Sequence, residues 1–246
     1  MTNDTSRLDV TRLLKPAELM LALGHPSLWA SLRARFAVRG WLLRLALRAA
    51  ARRAIDVLGA SAGLLLLAPL LFGTALAIRI DSPGPVLFRQ TRIGKRGRPF
   101  TMYKFRSMRI TAEAEKDALR TSNESRDGVL FKMQRDPRVT RVGRIIRRLS
   151  IDELPQLLNI LRGDMSIVGP RPALPSEVAQ YDFEARKRLQ ARPGLTCLWQ
   201  IGGRSELAFS EQVDLDLRYL QSRSLAKDIE IIARTVPAII QGKGAY

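Results

Sequence analysis

The sequence predicts an α+β protein, mostly helical, with a short β-hairpin and one apolar helix able to enter a membrane. Three observations lead there. Residues 57–78 contain no charged side chain. Several later stretches repeat apolar or basic residues at intervals of three and four, the period of an α-helix. Residues 85–93 and 98–105 read as two strands joined around Lys95-Arg96-Gly97, a hairpin pattern. A chain of 246 residues, 46% hydrophobic, suits one domain with an appendage.

Charge narrows the function. The formal net charge is +18, from 41 Lys and Arg against 23 Asp and Glu. An anionic partner follows: nucleic acid, an acidic membrane surface or a phosphorylated substrate. One cysteine, Cys197, excludes an internal disulfide. One histidine, His25, argues against a zinc site and a Ser-His-Asp triad. No cleavable signal is expected, because the apolar run starts late and lacks a cleavage site.

In chain order, residues 1–31 carry no usable motif beyond a helical tendency around residues 17–23. Residues 32–53 hold seven arginines and no acid. Arg44, Arg48 and Arg52 line one helical face, and Trp41, Leu42 and Leu45 fill much of the rest. A basic helix with an apolar side reads as membrane-surface binding; the alternative is a solvated surface helix.

The 22 uncharged residues 57–78 would extend ~33 Å as a straight helix, enough to cross a bilayer. Pro69 interrupts them, and Gly59, Gly63 and Gly73 add flexibility. Basic residues flank both ends: Arg52 and Arg53 before, Arg79, Arg89 and Arg92 after. Charge therefore favours both ends on the cytoplasmic side. A helix that bends at Pro69 and returns satisfies this, and a through-span does not.

Residues 81–85 are turn chemistry, followed by the hairpin. Lys104 and Arg106, two apart, would share a strand face suited to phosphate or to a membrane rim. Residues 111–127 suggest a helix and then a loop, and 130–134 a short apolar element. Arg141, Arg144 and Arg148 recur on one helical face. Residues 177–190 look helical and solvated, and 192–204 irregular. Residues 210–219 and 225–240 are amphipathic helix candidates.

Residues 150–172 stand apart. Asp152 and Glu153 are adjacent acids at the start of an apparent helix, with Leu154, Leu157, Leu158 and Leu161 on one apolar face and Gly163 as its stop. Arg147 and Arg148 precede them. Ser150 and Glu153 also fit a capping box, which needs no chemistry. Gly169-Pro170-Arg171-Pro172 is a stiff turn that would hold Arg171 in a fixed direction, and a rigid guanidinium suits phosphate.

The run from Asp152 to Pro172 resembles the signature of the bacterial sugar transferases, the monotopic phosphoglycosyl transferases. Four further pieces match in order: Asp81-Ser-Pro-Gly-Pro-Val86, Tyr103-Lys-Phe-Arg-Ser-Met108, Asp136-Pro-Arg-Val-Thr140, and Pro193-Gly-Leu-Thr196 with Trp199-Gln200. The resemblance covers about residues 50–246. The chain departs from it at Ala68 and Gly202, where relatives often carry Ser, and at Cys197, where they usually carry Gly.

The resemblance implies a re-entrant membrane helix and a catalytic domain facing the cytoplasm at the bacterial inner membrane. It implies transfer of a sugar-1-phosphate from a UDP-sugar to polyprenyl (undecaprenyl) phosphate, releasing UMP, as the first step of exopolysaccharide or other surface-glycan synthesis. It also implies Mg²⁺ and a covalent phosphosugar on Asp152, with Glu153 positioning metal or substrate. Asp152 is the expected metal ligand, and Arg147, Arg171, Lys104 and Arg106 the expected phosphate ligands. The expected organisation is a tail over 1–31, an amphipathic and re-entrant segment over 32–80, and a catalytic domain over 81–246 ending in a membrane-associated helix. Inner-membrane lipid is the expected partner, nucleic acid is not, and a homo-oligomer is compatible. The alternative is a basic, membrane-associated nucleic-acid-binding or scaffold protein without catalysis, whose affinity would fall with salt.

Overall fold

The computed structural model describes residues 28–115, 118–119, 133, 135–202 and 207–241. The expectations for residues 17–23 and for most of 116–134 lie outside these. Packing divides the chain into residues 1–52 and residues 53–246.

Helix α1 runs from Leu28 to Leu66. In its portion up to residue 52, Phe36, Leu42, Leu43 and Leu47 are exposed beside exposed Arg39, Arg44 and Arg48. That is the amphipathic composition expected of a membrane-surface helix.

From residue 53 onward the chain builds around short sheets. Helix α2, Ala68–Asp81, follows α1 after a break at Leu67. The helices meet at 62°. Pro69, in the first turn of α2, has no N–H to give to the carbonyl four residues back, so the helical ladder fails just upstream of it. The expected break at Pro69 thus appears two residues earlier. No single described helix is long and apolar enough to cross a membrane, though the bent pair is.

The glycines do something other than add flexibility. A Cβ at Gly59 would stand 2.7 Å from Ile167 Cδ1, and one at Gly63 3.2 Å from Leu157 Cδ1. Small residues let α1 press onto the domain, with Ala60 fully buried beside Leu157, Ile160 and Met165. Polar contacts fix the same end. Arg53 donates to the carbonyls of Ile160 (2.5 Å) and Leu161 (2.7 Å). Asp56 accepts from Ser166 Oγ (2.9 Å) and from the Ile167 N–H (2.8 Å). Leu58, Leu65, Leu66, Leu70, Phe72 and Leu76 remain exposed.

The hairpin forms as expected. Strand β1, Leu87–Ile93, pairs antiparallel with β2, Pro99–Phe105, from Leu87 opposite Phe105 to Ile93 opposite Pro99. Next come a 3-10 turn, Ile110–Glu113, and helix α3, Arg141–Arg148. Thr140 caps α3 by accepting from Gly143 N–H (2.9 Å), and Asp81 accepts from Val142 N–H (3.2 Å). Residues Ile151–Glu153 make a 3-10 turn ahead of helix α4, Gln156–Arg162, which ends at Gly163 with φ 88°.

The buried face of α4 differs from the leucine stripe. Gln156, Leu157, Asn159 and Ile160 are buried, and Leu158 is exposed. Asn159 displaces the leucines because its amide joins α4 to β2. It accepts from Tyr103 N–H (3.0 Å) and donates to the Thr101 carbonyl (2.7 Å).

Strand β3, Ser166–Val168, pairs in parallel with β4, Gly194–Thr196, inside the stretch expected to be irregular. A Cβ on Gly169 would lie 2.5 Å from the Arg192 carbonyl, so only glycine permits this approach. Between the strands lie α5 (Pro175–Val178), α6 (Phe183–Arg186) and a 3-10 turn (Lys187–Gln190), pieces of the single helix expected over 177–190. Helices α7 (Leu198–Gly202), α8 (Phe209–Ser222) and α9 (Leu225–Gln241) complete the described chain. Val168, Tyr219 and Ile231 form the core between β3, α8 and α9.

Replacing Asn159 with Leu adds bulk at a fully buried position and strands a part-buried N–H and C=O on β2. The variant should lose about 3 kcal/mol of stability, measured by urea unfolding of the detergent-solubilised protein.

Candidate active site

Helix α3 stops because Ser150 turns left-handed, with φ 55°. That sharp turn delivers Asp152 and Glu153 onto a cavity of about 670 Å³. The capping-box reading does not hold here. Ser150 makes no side-chain cap bond, and the Glu153 carboxylate accepts from Lys104 Nζ at 2.7 Å. Lys104 comes from β2, opposite Phe88 on β1, so this ion pair ties the hairpin to the acidic turn.

The two acids differ in charge state. Burial pushes the Asp152 carboxyl up to about 6, against the pull of Lys104 and with the charge of Glu153 adding to the rise. Burial also disfavours Glu153 ionisation, but Lys104, by charge and by hydrogen bond, outweighs it and holds that carboxyl below its ordinary value. Glu153 therefore stays ionised against Lys104, and Asp152 is the member that takes a proton.

Arg147 and Arg171 line the same cavity. Both are half-buried, and neither guanidinium has a hydrogen-bonding partner among the described residues. Arg171 is held by its flanks. Gly169 N–H donates to the Thr196 carbonyl (3.0 Å), Gly194 N–H to the Pro170 carbonyl (2.8 Å), and Ile93 N–H to the Ala173 carbonyl (2.8 Å). The rigidity expected of the Gly-Pro-Arg-Pro turn thus comes largely from strand contacts on either side.

Arg106 also lines the cavity, but its guanidinium is engaged. It lies just beyond β2, and its guanidinium binds the carbonyls of Pro83 and, at 2.8 Å, Ser82. It locks the Asp81–Pro85 turn. Gly84, with φ 115°, is required there because a Cβ would meet both Arg106 and Ile110. Asp136 likewise serves its neighbour: it accepts from Arg138 Nε (2.9 Å) and from the far guanidinium nitrogen (2.7 Å), while Arg138 also donates to the Ala112 carbonyl (3.0 Å).

Arg92 was read only as a flanking charge, and it is buried. It donates to the Pro172 carbonyl (2.9 Å) and to Gln90 Oε1 (2.6 Å), bracing the Arg171 turn from β1. Burial, and then the charge of Arg171, lower it to about 10, so it remains a cation at neutral pH. The sequence signal for this role is slight: Arg92 alternates with exposed Arg89 and Thr91 in a strand. Cys197 is buried, and burial raises its thiol, which suits a packing residue rather than a nucleophile.

Two guanidiniums without internal partners, a lysine–glutamate pair and one buried carboxylate make a site suited to a polyanion. Comparison with known proteins agrees. The family model described as bacterial sugar transferase matches residues 47–242. The chain is 44% identical over 196 residues to the galactosyl transferase CpsE of Streptococcus agalactiae, covering 79% of this chain and 43% of that one. It is 42% identical over 199 residues to the exopolysaccharide production protein ExoY of Rhizobium meliloti, covering 80% and 88%. It is 45% identical over 203 residues to the UDP-glucose:undecaprenyl-phosphate glucose-1-phosphate transferase of Caulobacter vibrioides, covering 79% and 72%. The chain thus spans less than half of the first relative and most of the other two.

The raised Asp152 pKa carries a stability consequence. The folded state binds this proton more tightly than the unfolded chain does, so stability falls as pH rises from about 4 to about 6. Above that the charge costs about 3 kcal/mol. Asp152→Asn should therefore melt at a higher temperature than the native protein at pH 7.5. The difference should shrink as pH approaches 4, measured by thermal unfolding in detergent.

Proposed function

The chain belongs to the bacterial sugar transferase family, and from that premise we propose that it moves a sugar-1-phosphate from a UDP-sugar to polyprenyl phosphate through a covalent intermediate on Asp152. Family membership also decides between the two readings of the basic charge, in favour of an enzyme over a nucleic-acid-binding scaffold. The observation that carries the proposal is Asp152 itself, a buried carboxylate without the ion pair that engages Glu153, in a cavity shared with Arg147 and Arg171.

In the first step a carboxylate oxygen of Asp152 attacks the sugar-bearing phosphorus. The phosphoanhydride bond breaks, and its electron pair leaves on UMP. The acyl phosphate keeps a high transfer potential. In the second step an oxygen of polyprenyl phosphate attacks the same phosphorus, and Asp152 departs as a carboxylate. The products are polyprenyl diphosphate sugar and UMP. Arg147 and Arg171 neutralise the phosphates, and Lys104 keeps Glu153 ionised beside them.

No cluster of three His, Cys or acidic side chains able to hold a metal occurs among the described residues. Magnesium commonly takes one or two carboxylates with substrate phosphates, so Asp152 together with the donor diphosphate fits it. When bound there, Mg²⁺ would supply charge neutralisation at the phosphoryl oxygens.

The donor is soluble and the acceptor lies in a bilayer, so the site belongs at a membrane surface. The exposed apolar side of α1 and α2 and their 62° bend support a re-entrant anchor at the bacterial inner membrane, with the catalytic domain in the cytoplasm. Formation of exopolysaccharide or another surface glycan is the process it would open.

Native enzyme given a UDP-sugar alone should release about one UMP per site, as a two-step covalent mechanism requires. The rate should fall roughly tenfold per pH unit below about 6 as Asp152 takes its proton. Removing the Lys104 charge with Lys104→Met should move that limb to higher pH. Asp152→Asn should release no UMP, and native-like turnover in that variant would remove Asp152 from the mechanism.

Topology is tested with cysteines at Arg48 and at exposed Arg98, the buried Cys197 being left in place. Both should resist an impermeant thiol reagent in intact cells and react after lysis. Labelling of either from outside would mean a span that crosses.

A further inference from the structure

The reaction as derived uses only charged residues of the cavity. The same cavity is also lined by Ile232, Val236 and Ile239 of α9, Leu195 of β4 and Leu174. Positions 232, 236 and 239 are spaced so as to share one face of a helix. Val236 is 59% exposed, although nothing in its own chemistry favours water.

This stripe offers little to a sugar or a uracil. Its one polar member, Thr235, donates its hydroxyl to the Ile231 carbonyl (2.7 Å) and pairs with the Thr196 hydroxyl (2.8 Å). A hydroxylated sugar or a base placed there would lose hydrogen bonds to water and regain few. A hydrocarbon loses none and gains by leaving water.

We propose that this arm receives the first isoprene units of the polyprenyl phosphate acceptor, whose phosphate meets Arg147 and Arg171 beside Asp152. The proposal rests on the transfer reaction above. Its further content is where the acceptor's hydrocarbon lies and which residues recognise it. An acceptor with an anionic head and an isoprenoid tail needs one continuous cavity lined by both basic and apolar side chains. Arg147 and Arg171 line the same cavity as Ile232, Val236 and Ile239, which meets both requirements.

The test uses Val236→Gln and Ile239→Gln, with Val236→Leu as the conservative control, in the full-length detergent-solubilised enzyme. Three quantities are read: UMP released from UDP-sugar alone, KM for undecaprenyl phosphate, and co-sedimentation with phosphatidylglycerol-containing vesicles. A polar amide in an apolar arm should raise the acceptor KM roughly five- to twentyfold. The UMP burst and vesicle binding should stay as in the native enzyme, and Val236→Leu should behave nearly as native. An unchanged acceptor KM in both Gln variants would overturn the proposal. A lost UMP burst in the variants would assign the arm to the donor instead, and a matching loss of vesicle binding would reduce the stripe to a membrane contact. No burst in the native enzyme would overturn the covalent reaction itself, a result distinct from all of these.

Discussion

The ion pair between Lys104 and Glu153 is the contact on which the site depends. It joins the β1–β2 hairpin to the turn after α3, two pieces of structure about fifty residues apart in the chain. It also divides the labour of two adjacent acids. With Lys104 bound to Glu153, the pair can hold one negative charge at low cost, and burial makes the second charge expensive. A carboxylate that is costly to keep ionised in the empty site gains most when cationic groups arrive around it. The pair thus sets both the geometry and the reactivity of Asp152.

A second theme is how many cations face inward. Arg53, Arg92, Arg106, Arg138 and Arg188 all use their guanidinium groups within the domain. The first four bind backbone carbonyls at a helix end, in turns and at the Gly-Pro-Arg-Pro segment. Arg188 pairs with Asp216 at 2.6 Å, both buried. A planar fork with five donors can satisfy two carbonyls at once in a fixed geometry that the compact ammonium of lysine does not offer. Net charge therefore overstates the surface available to an anionic partner, because part of it is structural. Arg147 and Arg171 stand out because no such contact engages them.

Helices α1 and α2 show the same economy of contact. Gly59, Ala60 and Gly63 let α1 lie close on α4 and β3, and Asp56 receives Ser166 and Ile167 at its base. The opposite side is left bare and apolar. One side of the segment is thus a protein interface and the other has the character of a lipid interface. Helix α9 likewise presents apolar side chains, Ile232, Val236 and Ile239, to the cavity.

Much of this was legible in the sequence, wherever local rules suffice. The hairpin, the α3 helix of arginines, the stop at Gly163 and the helices near 210 and 225 follow from periodicity and turn chemistry, which act over a few residues. The ordered motifs named the family, which the comparisons then showed. What periodicity could not decide was which face of a helix is buried. Asn159 rather than Leu158 turns inward on α4, because a polar side chain can satisfy two backbone groups of β2 that a leucine would strand. Nor could it separate one basic residue from the next. Lys104 and Arg106 look alike in the chain, yet one binds Glu153 and the other ties down a turn some twenty residues upstream. Arg92, Arg106 and Arg171 have the same side chain, and only the partners brought near by folding decide which braces a turn and which leaves its guanidinium open to the cavity. The sequence by itself determined the hairpin, most of the longer helices and the acidic pair. The tertiary structure decided the charge each acid carries and the work each arginine does, because both depend on long-range contacts and on burial.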